Sequence, residues 1–234
     1  METGFKFAAI DIGSNAIRLL FCRVLQNSDS TKFIKESLIR MPLRLGADAF
    51  TLGKISKDNS EKLVKTIQAF RLMIDAYDPI SYKACATSAL RTAKNGQNLV
   101  DQINLDTNLN LEIISGVKEA KIIMSNHIEN HLSPERDYLY IDVGGGSTEV
   151  SFIVKKVKAI SRSFPIGSVR LLKDQVTPLN WQEMESWVKD LRPKVSGSIK
   201  AIGSGGNINK IFSMSEISNN NEIEFNMIKD IIDM

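Results

Sequence analysis

Two short stretches of the 234-residue chain place acidic, glycine and hydroxyl residues where phosphate chemistry needs them. The first is Asp11-Ile12-Gly13-Ser14-Asn15, and the second is Asp142-Val143-Gly144-Gly145-Gly146-Ser147-Thr148-Glu149. Glycine lets backbone N–H groups approach phosphate oxygens, and successive amides in a turn form an anion-binding nest. An Asp beside such a nest holds a hydrated divalent cation or orients a water rather than meeting the anion itself. Alone, Asp-x-Gly-Ser is an ordinary turn, and glycines after a strand also make hairpins. The two stretches form a pair, however. Asp142 stands 131 positions after Asp11, and each turn lies between two apolar, strand-like runs. The repetition makes phosphate handling the sharper reading.

A third stretch, Gly203-Ser204-Gly205-Gly206-Asn207, follows an apolar run and opens a helix-like segment. Helix N-termini attract phosphate. Ile208 stands where the last glycine of a dinucleotide fingerprint would fall, and no Walker A pattern occurs anywhere. The bland alternative is a strand–helix turn that needs positive φ. His127 and His131 are four apart on a predicted helix but have no third ligand pattern, which favours a solvated helix end. No Gly-x-Ser-x-Gly elbow supports a serine hydrolase. Lys155, Lys156, Lys158 and Arg162 alternate as the wet face of a strand does, with guidance of a polyanion as the other reading.

These turns need elements to hold them. Apolar runs predict strands over residues 7–12, 16–24 and 33–39, then a Gly- and Asp-containing loop. Leu63, Ile67, Phe70, Ile74 and Tyr77 recur at helical spacing, and Pro79 ends that helix. A strand over 81–87, a polar helical stretch over 91–103, a strand over 111–114 and a helix over 116–130 complete the first half. The second half repeats the meander over 139–143, 150–154 and 159–164. A helix over 181–191 follows, with Asn180 and Glu183 as its expected capping box. A strand over 199–202 and helices opening at 203–206 and 222 end the chain. Two similar α/β halves predict two lobes, residues 1–133 and 134–234, joined near 133–137 and facing a cleft of the kind that favours ligands.

Composition bounds the answer. The chain is 43% apolar and 24% charged, which fits a globular protein with a real core and excludes disorder over most of its length. Thirty basic residues against 27 acidic ones give a net charge of +3, too mild to hold nucleic acid without a concentrated basic stripe. Asp11, Asn15 and Arg18 interrupt the N-terminal apolar run, so neither a signal peptide nor a spanning helix is expected there. Cys22 and Cys85 are too few for a disulfide framework or a zinc site, which suits a reducing cytoplasm.

Five ordered stretches together resemble the exopolyphosphatase/guanosine pentaphosphate phosphatase family of the actin-like superfamily. They are residues 11–15, Ala86-Thr87-Ser88-Ala89-Leu90-Arg91, Ile114-Ser115-Gly116-Val117-Lys118-Glu119-Ala120, residues 142–149, and Phe164-Pro165-Ile166-Gly167-Ser168-Val169-Arg170. The resemblance implies two actin-like (ribonuclease H-like) α/β lobes with mixed sheets facing a central cleft, the second incomplete because the family's fold is longer than this chain. An unclosed lobe is expected to expose a sheet edge and apolar helix faces. The implied activity is Mg²⁺-dependent release of terminal phosphate from inorganic polyphosphate or guanosine pentaphosphate. By resemblance, Glu119 is the general base, although at the start of a helix a carboxylate is also simply favoured by the dipole. Asp142 and Glu149 hold Mg²⁺ and the attacking water. Gly144, Gly145, Gly146, Ser147 and Thr148 bind the terminal phosphate. Asp11, Gly13, Ser14, Asn15 and Arg91 serve phosphates nearby, with Gly205 and Gly206 in the third turn. Lys118 and Asn207 depart from the residues often found at their positions. An actin-like ATPase or kinase and a non-catalytic sensor are the rival readings. Neither nucleic acid nor membrane is an expected partner, and a homodimer is one open option.

Overall fold

The computed structural model describes residues 4–26, 31–124, 132–133, 135–154, 158–191, 199–215 and 222–233. The histidine pair His127 and His131 and the lysines Lys155 and Lys156 lie outside the described residues. The chain divides into two compact units, Met1–Gly116 with Leu172–Gln175, and Val117–Leu171 with Val176–Met234.

The first unit opens with an antiparallel meander, β1 (Phe5–Ile12), β2 (Ile17–Gln26) and β3 (Thr31–Met41). Helices α1 (Leu45–Leu52) and α2 (Lys57–Tyr77) lead to β4 (Ser81–Ala86), then α3 (Ser88–Thr92), α4 (Gly96–Thr107) and β5 (Leu111–Ile113). The sheet order is β3-β2-β1-β4-β5, with β4 parallel to both β1 and β5. Alternation along the strands explains the burial. Ala8, Ile10 and Ile12 of β1, with Ile17, Leu19 and Phe21 of β2, are buried. The predicted helical stripe of α2 buries Leu63, Ile67, Phe70 and Ile74, and Tyr77 at its end stacks on Phe21 at 4.3 Å between ring centroids.

The second unit begins with α5 (Gly116–Met124), apart from its first residue. It continues with a second meander, β6 (Asp137–Val143), β7 (Thr148–Val154) and β8 (Lys158–Phe164). Then come α6 (Ser168–Leu171), α7 (Pro178–Leu191), β9 (Ile199–Ser204), α8 (Gly206–Met214) and α9 (Phe225–Asp233). Its sheet order, β8-β7-β6-β9 with β9 parallel to β6, repeats the first four positions of the other sheet. One face packs Val150, Phe164 and Ile166 against Met184 and Trp187 of α7. The opposite face packs Tyr138, Tyr140 and Ile153 against Ile123 of α5 and Leu132. Among the described residues β8 and β9 are the sheet's edges, and neither α8 nor α9 fully buries a residue.

Three local readings need correction. The loop expected after β3 holds α1, whose Leu45, Ala49 and Phe50 are buried; Gly46 and Asp48 disguise an apolar face. The helical stretch expected over 91–103 is two helices, because α3 ends at Thr92 with Ala93 extended, and Gly96 starts α4 against the Leu90 carbonyl, where any Cβ would collide. The capping box of α7 lies one turn earlier than Asn180 and Glu183. The Thr177 N–H donates to Asn180 Oδ1 at 2.9 Å, the Asn180 N–H donates to Thr177 Oγ1 at 3.4 Å, and Pro178 takes the first helical position. Glu183 instead pairs with Arg162 at 3.6 Å, so this arginine of the expected wet face is tied within the unit. No helix among the described residues is long and apolar enough to cross a membrane.

The N-terminus of α2 is gripped by a carboxylate from α1. Asp48 Oδ2 accepts from the Ser56 N–H at 2.9 Å and from Asn59 Nδ2 at 2.8 Å, while Ser56 Oγ caps the Asn59 N–H at 3.3 Å. Partial burial pushes the Asp48 carboxyl up, but the hydrogen bonds from Ser56 and Asn59 outweigh it and hold the group below its ordinary value. A depressed carboxylate stabilises the fold above its unfolded pKa of about 3.9, and that contribution is lost as pH falls through the folded value. Asp48→Ala should therefore cost about 1 kcal/mol at neutral pH in urea unfolding. The difference from the unaltered protein should shrink below about pH 4. A difference that stays constant down to strongly acid pH would contradict the assignment.

Candidate active site

Each meander folds its first turn in the same way. In the first unit the Gly13 N–H donates to the Ala16 carbonyl at 3.1 Å, and in the second the Gly144 N–H donates to Ser147 at 2.9 Å. The strand pairs that close the turns, Ile12 with Ile17 and Val143 with Thr148, are also 131 residues apart. A Cβ at Gly13 or Gly144 would sit 3.3 or 3.1 Å from that same carbonyl, which is why glycine occupies both corners.

The carbonyls of both turns are held from behind by the segment that follows the third strand. The Gly46 N–H of α1 donates to the Ser14 carbonyl at 2.8 Å. At the equivalent place, the Val169 N–H donates to Gly145 at 2.8 Å, Ser168 N–H to Gly144 at 3.1 Å, and Arg170 Nε to Gly146 at 2.7 Å. Thr148 Oγ1 donates to the Ile166 carbonyl at 2.6 Å, and Gly167 comes so close to the Gly145–Gly146 peptide that any Cβ would collide with it. With the carbonyls engaged, the amides of Gly145, Gly146 and Ser147, and those of Ser14 and Asn15, meet no acceptor among the described residues. Turns whose carbonyls are tied and whose N–H groups are uncommitted have the geometry of anion nests.

In the first unit the Ser14 hydroxyl is buried, 4% exposed, and shares a 2.9 Å hydrogen bond with Ser88 Oγ at the start of α3. The same segment meets β1 again where the Thr87 N–H donates to the Ile12 carbonyl at 3.1 Å. Arg91, one turn along α3, donates from Nη1 to the Ile114 carbonyl at 2.6 Å. Ser88 lies in the 86–91 stretch noted in the sequence, where it was given no role of its own. Its signal was its place between Thr87 and Arg91 after a strand.

In the second unit the third turn joins the second. Gly205 has φ +99°, and a Cβ there would lie 2.6 Å from the Val143 carbonyl and 3.1 Å from Asp142 Oδ1. Gly205 thus sits against the end of β6, beside Asp142. Gly206 opens α8 and has open space where a Cβ would be.

The register aligns a row of side chains across each sheet, just beneath its turn. In the first unit Asp11 faces Arg18, which faces Arg40. Asp11 and Arg18 form an ion pair at 2.8 Å. In the second unit Asp142 faces Glu149, which faces Ser163, and Ser204 of β9 lies on the other side of Asp142. The repeat therefore exchanges an acid–base pair for two carboxylates. Like charges directly opposite on neighbouring strands repel, and Glu149 is only 3% exposed. Ser163 Oγ donates to Glu149 Oε1 at 2.7 Å. Tyr140, one row deeper, has its hydroxyl pushed up by burial and by the Asp142 charge, against the opposing effect of its hydrogen bond to Ser204.

Glu119 lies in the first turn of α5, four residues before Ile123. That spacing places both on one helical face, and Ile123 packs on the sheet face that carries the carboxylate row. No group of three acidic, histidine or cysteine side chains suited to a metal occurs among the described residues. Two carboxylates fit Mg²⁺ nonetheless, because this ion takes one or two from protein and fills its octahedron with water and phosphate oxygens.

Residues 31–224 match the model of the Ppx/GppA phosphatase family. Exopolyphosphatase 1 of Mycobacterium tuberculosis is 29% identical over 176 residues, covering 72% of this chain and 48% of that protein. A bifunctional 3-dehydroquinate synthase/phosphatase of Fusobacterium nucleatum is 31% identical over 179 residues, 73% of this chain and 26% of its own length. The chain thus spans about half the length, or less, of these curated relatives. Among solved structures, the Aquifex aeolicus Ppx/GppA family member superposes with a TM-score of 0.73 at 21% identity, covering 99% of this chain and 78% of that one. The type IV pilus complex PilM–PilN gives 0.51 at 11% identity over 92% of this chain and 85% of that one. The shared feature is the fold.

The third turn separates a sterically constrained glycine, Gly205, from an unconstrained one, Gly206. Gly205→Ala should lower the unfolding free energy by about 2 kcal/mol or more, through positive φ and collision with Val143. Gly206→Ala should stay within about 0.5 kcal/mol of the unaltered protein, since it fills open space. Equal costs in denaturant unfolding would show that the turn does not hold Gly205 as described.

Proposed function

This chain belongs to the Ppx/GppA phosphatase family, and on that premise we propose that it is a Mg²⁺-dependent phosphoanhydride hydrolase acting on terminal phosphate. Inorganic polyphosphate is the first candidate substrate, because several curated relatives are named exopolyphosphatases. Guanosine pentaphosphate carries the same terminal group and is the second. The observation that supports the reading best is the set of uncommitted turn amides beside a pair of opposed carboxylates.

In this reading the Gly145, Gly146 and Ser147 amides receive the oxygens of the phosphoryl group to be released. Gly144 and Thr148 keep the turn's shape, and Gly205 and Gly206 bring the start of α8 alongside. The first unit's turn, with Asp11, Gly13, Ser14 and Asn15, offers the same amide pattern for another phosphate group. Because the Ser14 hydroxyl is bonded to Ser88, its backbone N–H is the group it contributes. Arg91 supplies positive charge beside that turn. Asp142 and Glu149 would hold Mg²⁺, which when bound neutralises phosphate charge and orients water. Glu119 takes a proton from the attacking water, and phosphoanhydride hydrolysis asks little else of the protein than position and charge. The departing phosphate chain keeps the bridging oxygen.

A cytoplasmic location belongs to the same proposal, supported by Cys22 and Cys85, which form no disulfide among the described residues.

Phosphate release with Mg²⁺ from long polyphosphate, guanosine pentaphosphate and ATP tests the proposal, with Glu119→Gln alongside. Release from one of the first two, falling about 10²- to 10⁴-fold in the variant, is expected. Release from ATP alone would move the chain to the ATPase reading. Undiminished turnover in Glu119→Gln would remove that residue as the base.

A further inference from the structure

The row beneath the first turn carries one guanidinium more than its own carboxylate answers. Asp11 on β1 faces Arg18 on β2, which faces Arg40 on β3. Asp11 is engaged with Arg18 at 2.8 Å. Arg40 is exposed and forms an ion pair with no acid among the described residues. Like charges directly opposite on neighbouring strands repel, so Arg18 offers it nothing. Nor does the fold require a charge there, because the equivalent place in the second meander holds Ser163. The surplus also has a direction. β3 is an edge of the sheet, and Arg40 ends the row on that side. Strands stand about 4.8 Å apart, which puts β3 about 10 Å from Asp11. Towards β5 the row continues through Cys85 to Glu112 and holds no further guanidinium. An anion that starts on the Ser14 and Asn15 amides therefore meets the row's unanswered positive charge on the β3 side.

Resting on the phosphohydrolase reading above, we propose that Arg40 is a specificity-determining residue: it binds phosphate units beyond the one on the first turn, and so favours long inorganic polyphosphate over guanosine pentaphosphate. The two substrates differ at the place where Arg40 acts. Inorganic polyphosphate is anionic at every unit, whereas guanosine pentaphosphate gives way to ribose after its triphosphate. A guanidinium suits the task because it stays charged and offers paired donors to phosphate oxygens. Lys65 supplies a control for net charge alone, being an exposed cation on α2 that forms no ion pair among the described residues.

The test uses the full chain and compares long polyphosphate, tripolyphosphate and guanosine pentaphosphate, by calorimetric binding and by steady-state phosphate release with Mg²⁺. Arg40→Gln is expected to weaken binding of long polyphosphate about 5- to 10-fold and to raise its KM by a similar factor, with kcat little changed. Its effect on tripolyphosphate and guanosine pentaphosphate should stay within about twofold. Arg40→Lys, which keeps the charge, should recover part of the loss. Lys65→Gln should leave all three substrates as they are. Unchanged binding of long polyphosphate by Arg40→Gln overturns the proposal, whatever the turnover. Equal losses on all three substrates overturn it too, since Arg40 would then support the site rather than select. A loss in Lys65→Gln as large as in Arg40→Gln reduces the effect to net charge, and the role falls again. If no substrate releases phosphate while the long-chain preference in binding is present and disappears in Arg40→Gln, the hydrolase reading falls and the Arg40 contact stands.

Discussion

Everything at the candidate site depends on one repeated hydrogen-bond arrangement, the capture of the turn carbonyls by the backbone that follows the third strand. Gly46 does this for Ser14, and residues 168–170 do it for Gly144, Gly145 and Gly146. A peptide plane has two polar ends. Once its oxygen is engaged on one side, its N–H is turned to the other. The chain thereby builds an anion nest without spending any charged side chain on the anion. The cost is steric: Gly13, Gly46, Gly144 and Gly167 stand where a Cβ would press on a neighbouring atom of the turn.

The same geometry built twice leaves the two units free to differ in charge. Beneath the first turn, Asp11 is neutralised by Arg18. Beneath the second, Glu149 occupies the Arg18 position and Ser163 the Arg40 position. Substitution at two equivalent strand positions thus exchanges a row with an acid–base pair for one with two carboxylates. The remaining polar groups are matched closely. Among the described residues no buried side-chain nitrogen or oxygen lacks a partner, so what the site leaves open lies in backbone amides.

Much of this was legible in the sequence. The paired Asp-x-Gly stretches marked both turns, and the nine strands among the described residues lie close to their apolar runs, with burial alternating most plainly along β1. The stripe of Leu63, Ile67, Phe70 and Ile74 marked α2 for the same reason. α1 was hidden because Gly46 and Asp48 have tertiary duties: Gly46 latches the turn and Asp48 grips the next helix. The cap of α7 was misplaced because both Thr177 and Asn180 are capping residues, and their mutual hydrogen bonds decide between them. Arg18 and Ser163 could not be singled out as site residues, since their meaning comes from registers between strands distant in the chain, and Ser88 entered only as part of the 86–91 stretch, its bond to Ser14 being a tertiary contact. The 131-residue offset does link Arg18 with Glu149, so that exchange was written in the sequence, although its significance needed the β-ladder.

The central claim is that the turn amides are uncommitted and face an anion. Amide chemical shifts of the ¹⁵N-labelled chain, followed while tripolyphosphate is added with Mg²⁺, test it most directly. The account predicts the largest, saturable shifts at Gly145, Gly146 and Ser147 and at Ser14 and Asn15. Shifts confined to surface lysines, with these five amides unmoved at saturation, would contradict it.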